Sequence, residues 1–234
     1  MIWSSHIAPA IVPVLLPVLF WAGYHYYKDR HLPEPPSHLL IAFTLGGLSF
    51  LLGALLYRLL GVIGLRFDAY VLAETNPFGL LLYSIFAIGV IEELVKIVPF
   101  LLVIVRFREF DEPIDGIIYA SFIALGFAAV ENYQYLQYLT RGEAIARGIA
   151  GPVVHIVFAS IWGYLIGRAW LQRVRRISSV CGALALAALL HGLYDFVAIG
   201  LPARALPAAA LLILGIWVWR LRLIRDLHYR AGHA

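Results

Sequence analysis

Glu92-Glu93-Leu94-Val95-Lys96 stands in the middle of the apolar segment Pro77 to Val105, and the reading of that stretch decides the fold. A helix in water would carry these charges on a solvated face. Here the flanks, Gly79 to Ile91 and Ile97 to Val105, are almost wholly aliphatic and aromatic, so the segment reads as a helix inside a bilayer. Each ionised residue at such depth costs roughly 3 kcal/mol on insertion scales, which makes an intramembrane carboxylate or ammonium a functional group by default.

The rest of the chain agrees. Of 234 residues, 62% are hydrophobic and 14% charged, against roughly a quarter charged in soluble domains; the mean hydropathy is +0.85. The single cysteine, Cys181, excludes a disulfide framework and a Cys-rich zinc site. A net charge of +4 would suggest nucleic acid in a soluble protein. In this chain the basic residues gather in alternate loops, so the expected partner is the lipid bilayer and not nucleic acid.

Seven stretches are long enough to cross a hydrocarbon core: about 7–27, 38–64, 77–105, 114–139, 150–172, 177–199 and 203–223. The expected architecture is an all-α polytopic bundle of about seven transmembrane spans. One set of loops and the tail hold Lys28, Arg30, Arg106, Arg108, Arg168, Arg173, Arg175, Arg176, Arg220, Arg222, Arg225 and Arg230. The other set holds only Arg58, Arg66, Arg141, Arg147 and Arg204. Lys/Arg excess marks the cytoplasmic face, which puts the N-terminus outside and the C-terminus in the cytoplasm.

The first stretch lacks a basic n-region and a small-residue cleavage site, so it reads as a retained span rather than a secretory signal. Without repeats, and with its only Pro-rich stretch (Leu32 to Ser37) a short loop, the chain reads as one integral domain, 1–234, with a catalytic core at about 77–200. Gly64 to Asn76 reads either as an interfacial segment or as an ordinary loop.

Polar inserts recur on four consecutive spans. Glu92 and Lys96, four apart, share a helix face, and Glu93 flanks it. The bland reading is a self-neutralising Glu92–Lys96 ion pair, which leaves Glu93 unexplained. Pro99 follows and removes the backbone bond to the Val95 carbonyl. Span four carries Gly116, Ala120, Ala124 and Ala128 at spacing four, a face for close helix approach, and Glu131-Asn132 beyond it. Span five repeats the device with His155, Ala159, Gly163 and Gly167. Span six holds His191 and Asp195 one turn apart. Such a pair binds a metal together, fixes an imidazole tautomer for acid–base work, or merely glues helices.

In the seven-span topology these residues lie between the midplane and the external face. Four acids against one ammonium leave negative charge that low dielectric does not tolerate without protonation or a bound cation. The chain has no H-E-x-x-H, no G-x-S-x-G and only one aspartate deep in a span. Water activated by glutamate and histidine remains, with or without a metal, and Asn132 is placed to donate to an oxyanion.

Glu92-Glu93-x-x-Lys96, then Asp111-Glu112-Pro113-x-Asp115-Gly116 with Tyr119, Gly126-Phe127-Ala128-x-x-Glu131-Asn132, His155 with Gly163, and His191-Gly192-Leu193-Tyr194-Asp195-Phe196 together resemble the PrsW family of bacterial intramembrane proteases. The likeness covers about residues 88–200 and extends, more distantly, to the CAAX-processing glutamic proteases. It implies an intramembrane endopeptidase of the bacterial inner membrane, cutting a single-pass membrane protein such as an anti-sigma factor near the external face.

It further implies Glu92, Glu93, His155 and His191 as catalytic residues, supported by Lys96, Glu131, Asn132 and Asp195. The family's naming implies a divalent metal such as zinc, for which Glu92, Glu93, Glu131, His155, His191 and Asp195 are the candidate ligands. The CAAX relatives imply a metal-free glutamate mechanism; both stay open. The Asp111 to Asp115 loop reads as a helix-start cap. The competing reading is a proton-coupled transporter or channel using the buried Glu, His and Lys as a relay. A carrier should show internal symmetry, and none is visible.

Overall fold

The computed structural model describes residues 11–28, 33–174 and 177–231. The first residues of the expected span one (7–10), Leu32 of the Pro-rich loop, and Arg30, Arg175 and Arg176 of the loop charges lie outside them. Every regular element among the described residues is helical. A π turn (Ile11–Leu15) leads into α1 (Leu16–Lys28). Then come α2 (Pro36–Val62), α3 (Ala69–Thr75), α4 (Pro77–Tyr83), α5 (Val90–Leu102), α6 (Pro113–Tyr135), α7 (Arg141–Leu171), α8 (Ile177–Gly200) and α9 (Leu206–Ala231).

Five of these helices, α2, α6, α7, α8 and α9, are each long and apolar enough to cross a membrane. The expected third span is instead divided. A π turn at Ser84–Gly89 joins α4 to α5, and α5 contains Pro99 and ends three residues after it. π turns inside helices are rare and concentrate at functional sites; this one directly precedes Val90-Ile91-Glu92-Glu93.

Capping chemistry sets several boundaries. Asp68 accepts from the amides of Tyr70 and Val71, so the segment after α2 folds into the short helix α3. Glu112 and Asp115 form a reciprocal capping box at the start of α6, as the acidic cluster there suggests. Thr140 and Glu143 form another, and for that reason α7 begins at Arg141, a full two turns before the expected 150. Glu34, outside the helices, accepts from Tyr119 Oη and ties the start of α2 to α6. Burial pushes its carboxyl above the usual range, against the lowering effect of that hydrogen bond.

Helices α6 and α7 form the centre, with 83% and 67% of their most apolar stretches buried, against 17% for α9. The two small-residue ladders meet each other. A methyl at Gly163 would collide with the Gly116 carbonyl and the Ala120 side chain, and one at Gly167 would press on Gly116. Gly46 and Gly126 bring α2 equally close to α6, while Gly89 and Gly192 bring the π turn against α8. Without hydrophobic drive between helices in lipid, this close approach is what holds them.

Gly46→Ala, whose new methyl would lie on the Ile123 carbonyl oxygen, is expected to cost at least ~2 kcal/mol. Gly182→Ala, with open space around it, should instead gain up to ~1 kcal/mol. Thermal unfolding in detergent measures both.

A second polar cluster lies away from the Glu-Glu-Lys stretch. Arg220, counted from the sequence among the tail charges, is fully buried. Its Nε donates to Ser160 Oγ (2.7 Å) and its Nη2 to Ser121 Oγ (3.1 Å) and His25 Nδ1 (3.0 Å). It enters the bundle because hydroxyls on α6 and α7 and an imidazole on α1 accept its hydrogens, and Trp217 covers its face.

Candidate functional site

Glu92 and Glu93 leave the π turn on consecutive positions of α5, about 100° apart around the helix, and so face two different surroundings. Glu93 is fully buried with both oxygens engaged. Its Oε1 accepts from Lys96 Nζ and from His191 Nδ1, each at 2.7 Å, and its Oε2 from Trp162 Nε1 at 2.8 Å. The bland alternative, a self-neutralising Glu92–Lys96 pair, does not form: the ammonium bonds Glu93, one turn back at i−3, and lies over the Phe127 ring. Trp162 and His191 hold the Glu93 carboxylate on the side where Lys96 can reach it.

Glu92 is the counterpart. Its Oε2 is buried with no hydrogen-bond partner and faces His191 Nε2 at 3.8 Å and His155 Nδ1 at 4.0 Å. Each imidazole is fixed from behind by another carboxylate. Glu93 takes His191 Nδ1–H, and Glu131 Oε2 takes His155 Nε2–H at 2.8 Å. Those bonds select the tautomers that leave His191 Nε2 and His155 Nδ1 as acceptors toward Glu92. Phe158 stacks on the His191 ring and Phe127 leans on that of His155, so both rings are also wedged in place.

Asp195, one turn after His191, comes within 3.6 Å of its Nε2. Glu92, Glu93, Lys96, Glu131, His155, His191 and Asp195 thus form one connected cluster drawn from α5, α6, α7 and α8. Asn132 lies beside it in sequence, packed over Gly151, where a methyl would press on its amide; its Oδ1 is buried without a partner.

Two residues belong here that the sequence reading passed over. Trp162 donates to Glu93, and Arg147 Nη2 bonds Glu131 Oε2 at 3.1 Å. Both carried a signal, since Trp162 is seven residues after His155 and Arg147 eight before it, on the same face of α7.

One ligand atom each from Glu92, His155 and His191 lie within 4.8 Å of one another. Tetrahedral ligands ~2.1 Å from a metal stand ~3.4 Å apart, close to the 3.8 and 4.0 Å found from Glu92 to the two nitrogens. The donor set of one carboxylate and two imidazoles suits a divalent ion, and the orphaned Glu92 Oε2 supplies the charge such an ion seeks. The carboxylates behind each imidazole are the usual outer support of a metal-binding histidine. The residues therefore fit a metal, with one adjustment: His155 Nδ1 also lies 3.3 Å from Lys96 Nζ and would exchange that contact for the ion.

Comparison with known proteins accords with this cluster. The model of the PrsW family intramembrane metalloproteases matches residues 34–220, which include every residue of the site. A protein named Protease PrsW from Oceanobacillus iheyensis is 33% identical over 207 residues, covering 87% of this chain and 89% of its own. One of the same name from Clostridioides difficile is 32% identical over 195 residues, 80% of this chain and 76% of its own. That from Bacillus subtilis is 31% identical over 196 residues, 83% and 81%. No solved structure matches the chain.

Proposed function

Because the chain belongs to the PrsW family of intramembrane metalloproteases, it is an intramembrane hydrolase of peptide bonds, and we propose that it cuts a membrane-anchored protein with water activated at Glu92. The observation that carries this reading is the buried Glu92 Oε2, without a partner and facing two imidazole nitrogens whose far sides are locked by carboxylates. A group so held has no structural task to perform, and leaving it unpaired costs free energy.

Glu92, His155 and His191 would hold a divalent ion, which would supply Lewis-acid polarisation of a carbonyl and lower the pKa of water. The chain's own groups do the rest. With one Glu92 oxygen given to the ion, a water against the other gives that carboxylate a proton as its own oxygen attacks the scissile carbonyl carbon. The carboxyl returns the proton to the leaving amine as the carbon–nitrogen bond breaks. Glu93 keeps His191 in the tautomer that points Nε2 inward, and Glu131 does so for His155. Lys96 balances Glu93, so the pair adds no net charge beside the reacting atoms. Asn132 would offer the Nδ2–H of its side-chain amide, the donating end, to a developing oxyanion.

The topology proposed with it has seven spans, the N-terminus outside and the C-terminus in the cytoplasm, in a bacterial inner membrane, as one integral domain with its catalytic core at 77–200. The site then opens toward the external leaflet, where a single-pass substrate such as an anti-sigma factor would present its chain. A proton carrier would string such groups from face to face; these fold back on one another, which favours chemistry at one point.

The purified protein is expected to cleave a single-pass model substrate in detergent, to lose that activity with its metal on chelation, and to regain both with zinc. Absence of cleavage by metal-replete protein across a panel of single-pass substrates would refute the reading. Glu131→Gln, which loosens the support behind His155, should weaken zinc binding 10–100-fold in chelator competition.

A further inference from the structure

We propose that Arg147 is a positioning residue for the hydrolysis described above, acting through Glu131 on His155; the inference rests on that reading. Arg147, Gly151 and His155 follow one another at spacing four on α7 and so share a face. On the opposing helix, Glu131 and Tyr135 have the same spacing. The two pairs interlock. Glu131 Oε2 accepts from His155 Nε2 at 2.8 Å and from Arg147 Nη2 at 3.1 Å, while the Arg147 guanidinium lies 3.7 Å from the Tyr135 ring centroid.

A planar cation resting on an aromatic plate and bonded at one end has a single orientation, which a lysine ammonium cannot reproduce. That orientation fixes the carboxylate oxygen, and the oxygen fixes the imidazole. Glu131 would otherwise be a buried anion held by a neutral ring alone, free to swing and to draw His155 away from Glu92. Gly151 between them carries no side chain, so nothing else on that face of α7 could hold Glu131.

No hydrogen bond joins Arg147 to Glu92, His191 or Asp195. Its hydrogen-bonded route to the chemical step runs through Glu131, and loss of that route should appear in kcat and not in KM.

The test is a kinetic cycle on one single-pass substrate with wild type, Arg147→Gln, Arg147→Lys, Glu131→Gln and the double variant Arg147→Gln/Glu131→Gln. Arg147→Gln is expected to lower kcat at least ~10-fold with KM unchanged within ~2-fold, the scale of other outer-support losses. Arg147→Lys should recover part of it. In the Glu131→Gln background, Arg147→Gln should cost nothing further, because the path it acts through is already gone.

Losses that multiply in the double variant, an effect confined to KM, or an Arg147→Gln enzyme at wild-type kcat would each overturn the inference while leaving the protease reading intact. Should Arg147→Gln not fold, Arg147→Lys carries the same cycle, with loss in kcat that vanishes beside Glu131→Gln supporting the inference and any other pattern overturning it. A wild-type protein that cuts nothing strikes the protease reading itself, and this inference with it.

Discussion

Glu92→Gln should abolish cleavage, by at least ~10³-fold, in a protein that, compared with wild type in the metal-free form, unfolds at the same temperature or slightly above it. The activity loss follows from taking away the carboxylate that accepts a proton from water, a role worth typically 10²–10⁴-fold, together with a metal ligand's charge. The unchanged stability follows from the same geometry. Glu92 Oε2 has no hydrogen bond to lose, and the amide is nearly the shape of the acid it replaces. Removing an unpaired buried charge, if anything, relieves the bundle. A Glu92→Gln variant that still processes substrate at the wild-type rate would end the assignment of this residue.

The neighbouring position should behave in the opposite way with respect to stability. Glu93→Ala is expected to lose activity to background and also to cost about 3–5 kcal/mol, the usual penalty for breaking a buried ion pair from one side. Lys96 Nζ, Trp162 Nε1 and His191 Nδ1 would all lose the Glu93 carboxylate at once. Adding Lys96→Met to Glu93→Ala should restore much of the stability, because it takes the stranded ammonium out of the interior, and should restore none of the cleavage. Denaturation in detergent and a substrate-cleavage assay on the same preparations separate the two effects. Equal stability of Glu92→Gln and Glu93→Ala would contradict the division of labour drawn here.

That division was only partly legible in the chain. Hydropathy reveals the long apolar helices, because lipid demands that backbone groups be satisfied within each segment. The ladders ending at Gly116 and Gly167 are legible as close-packing faces because small residues repeat at the helical period. The convergence of Glu92, Glu131, His155 and His191 also follows from pattern, each being a costly residue on a face already turned inward. What spacing could not decide was the partner of Lys96. Both glutamates lie within a turn of it, and the choice falls to Trp162 and His191, which come from other helices.

The π turn had no local mark either, since Ser84 to Gly89 is as apolar as its surroundings. Gly89 lies in it and touches the Ala188 carbonyl, with Gly192 reaching back to Ile85, so its environment is tertiary. The early start of α7 was legible in Thr140 and Glu143 had the cap been weighed above the polarity of Arg141 to Arg147. Arg220 misled for a related reason. A charge in a basic tail looks solvated until hydroxyls on other helices are known to await it.

Helices α6 and α7 are fastened at two heights. Glu131–His155 joins them near the Tyr135 end of α6, and Arg220 bridges Ser121 and Ser160 farther along, ten residues (about 15 Å) on α6 and five (about 7.5 Å) on α7. Beyond Ser121 and Ser160, on the side away from Glu131, lies a seam of glycine and alanine with backbone against backbone. Two rods pinned twice cannot scissor, and a seam without side chains cannot be squeezed. Whatever parts to let a polypeptide reach Glu92 must therefore pivot on α2, α5 or α8, with the α6–α7 pair serving as the fixed anvil.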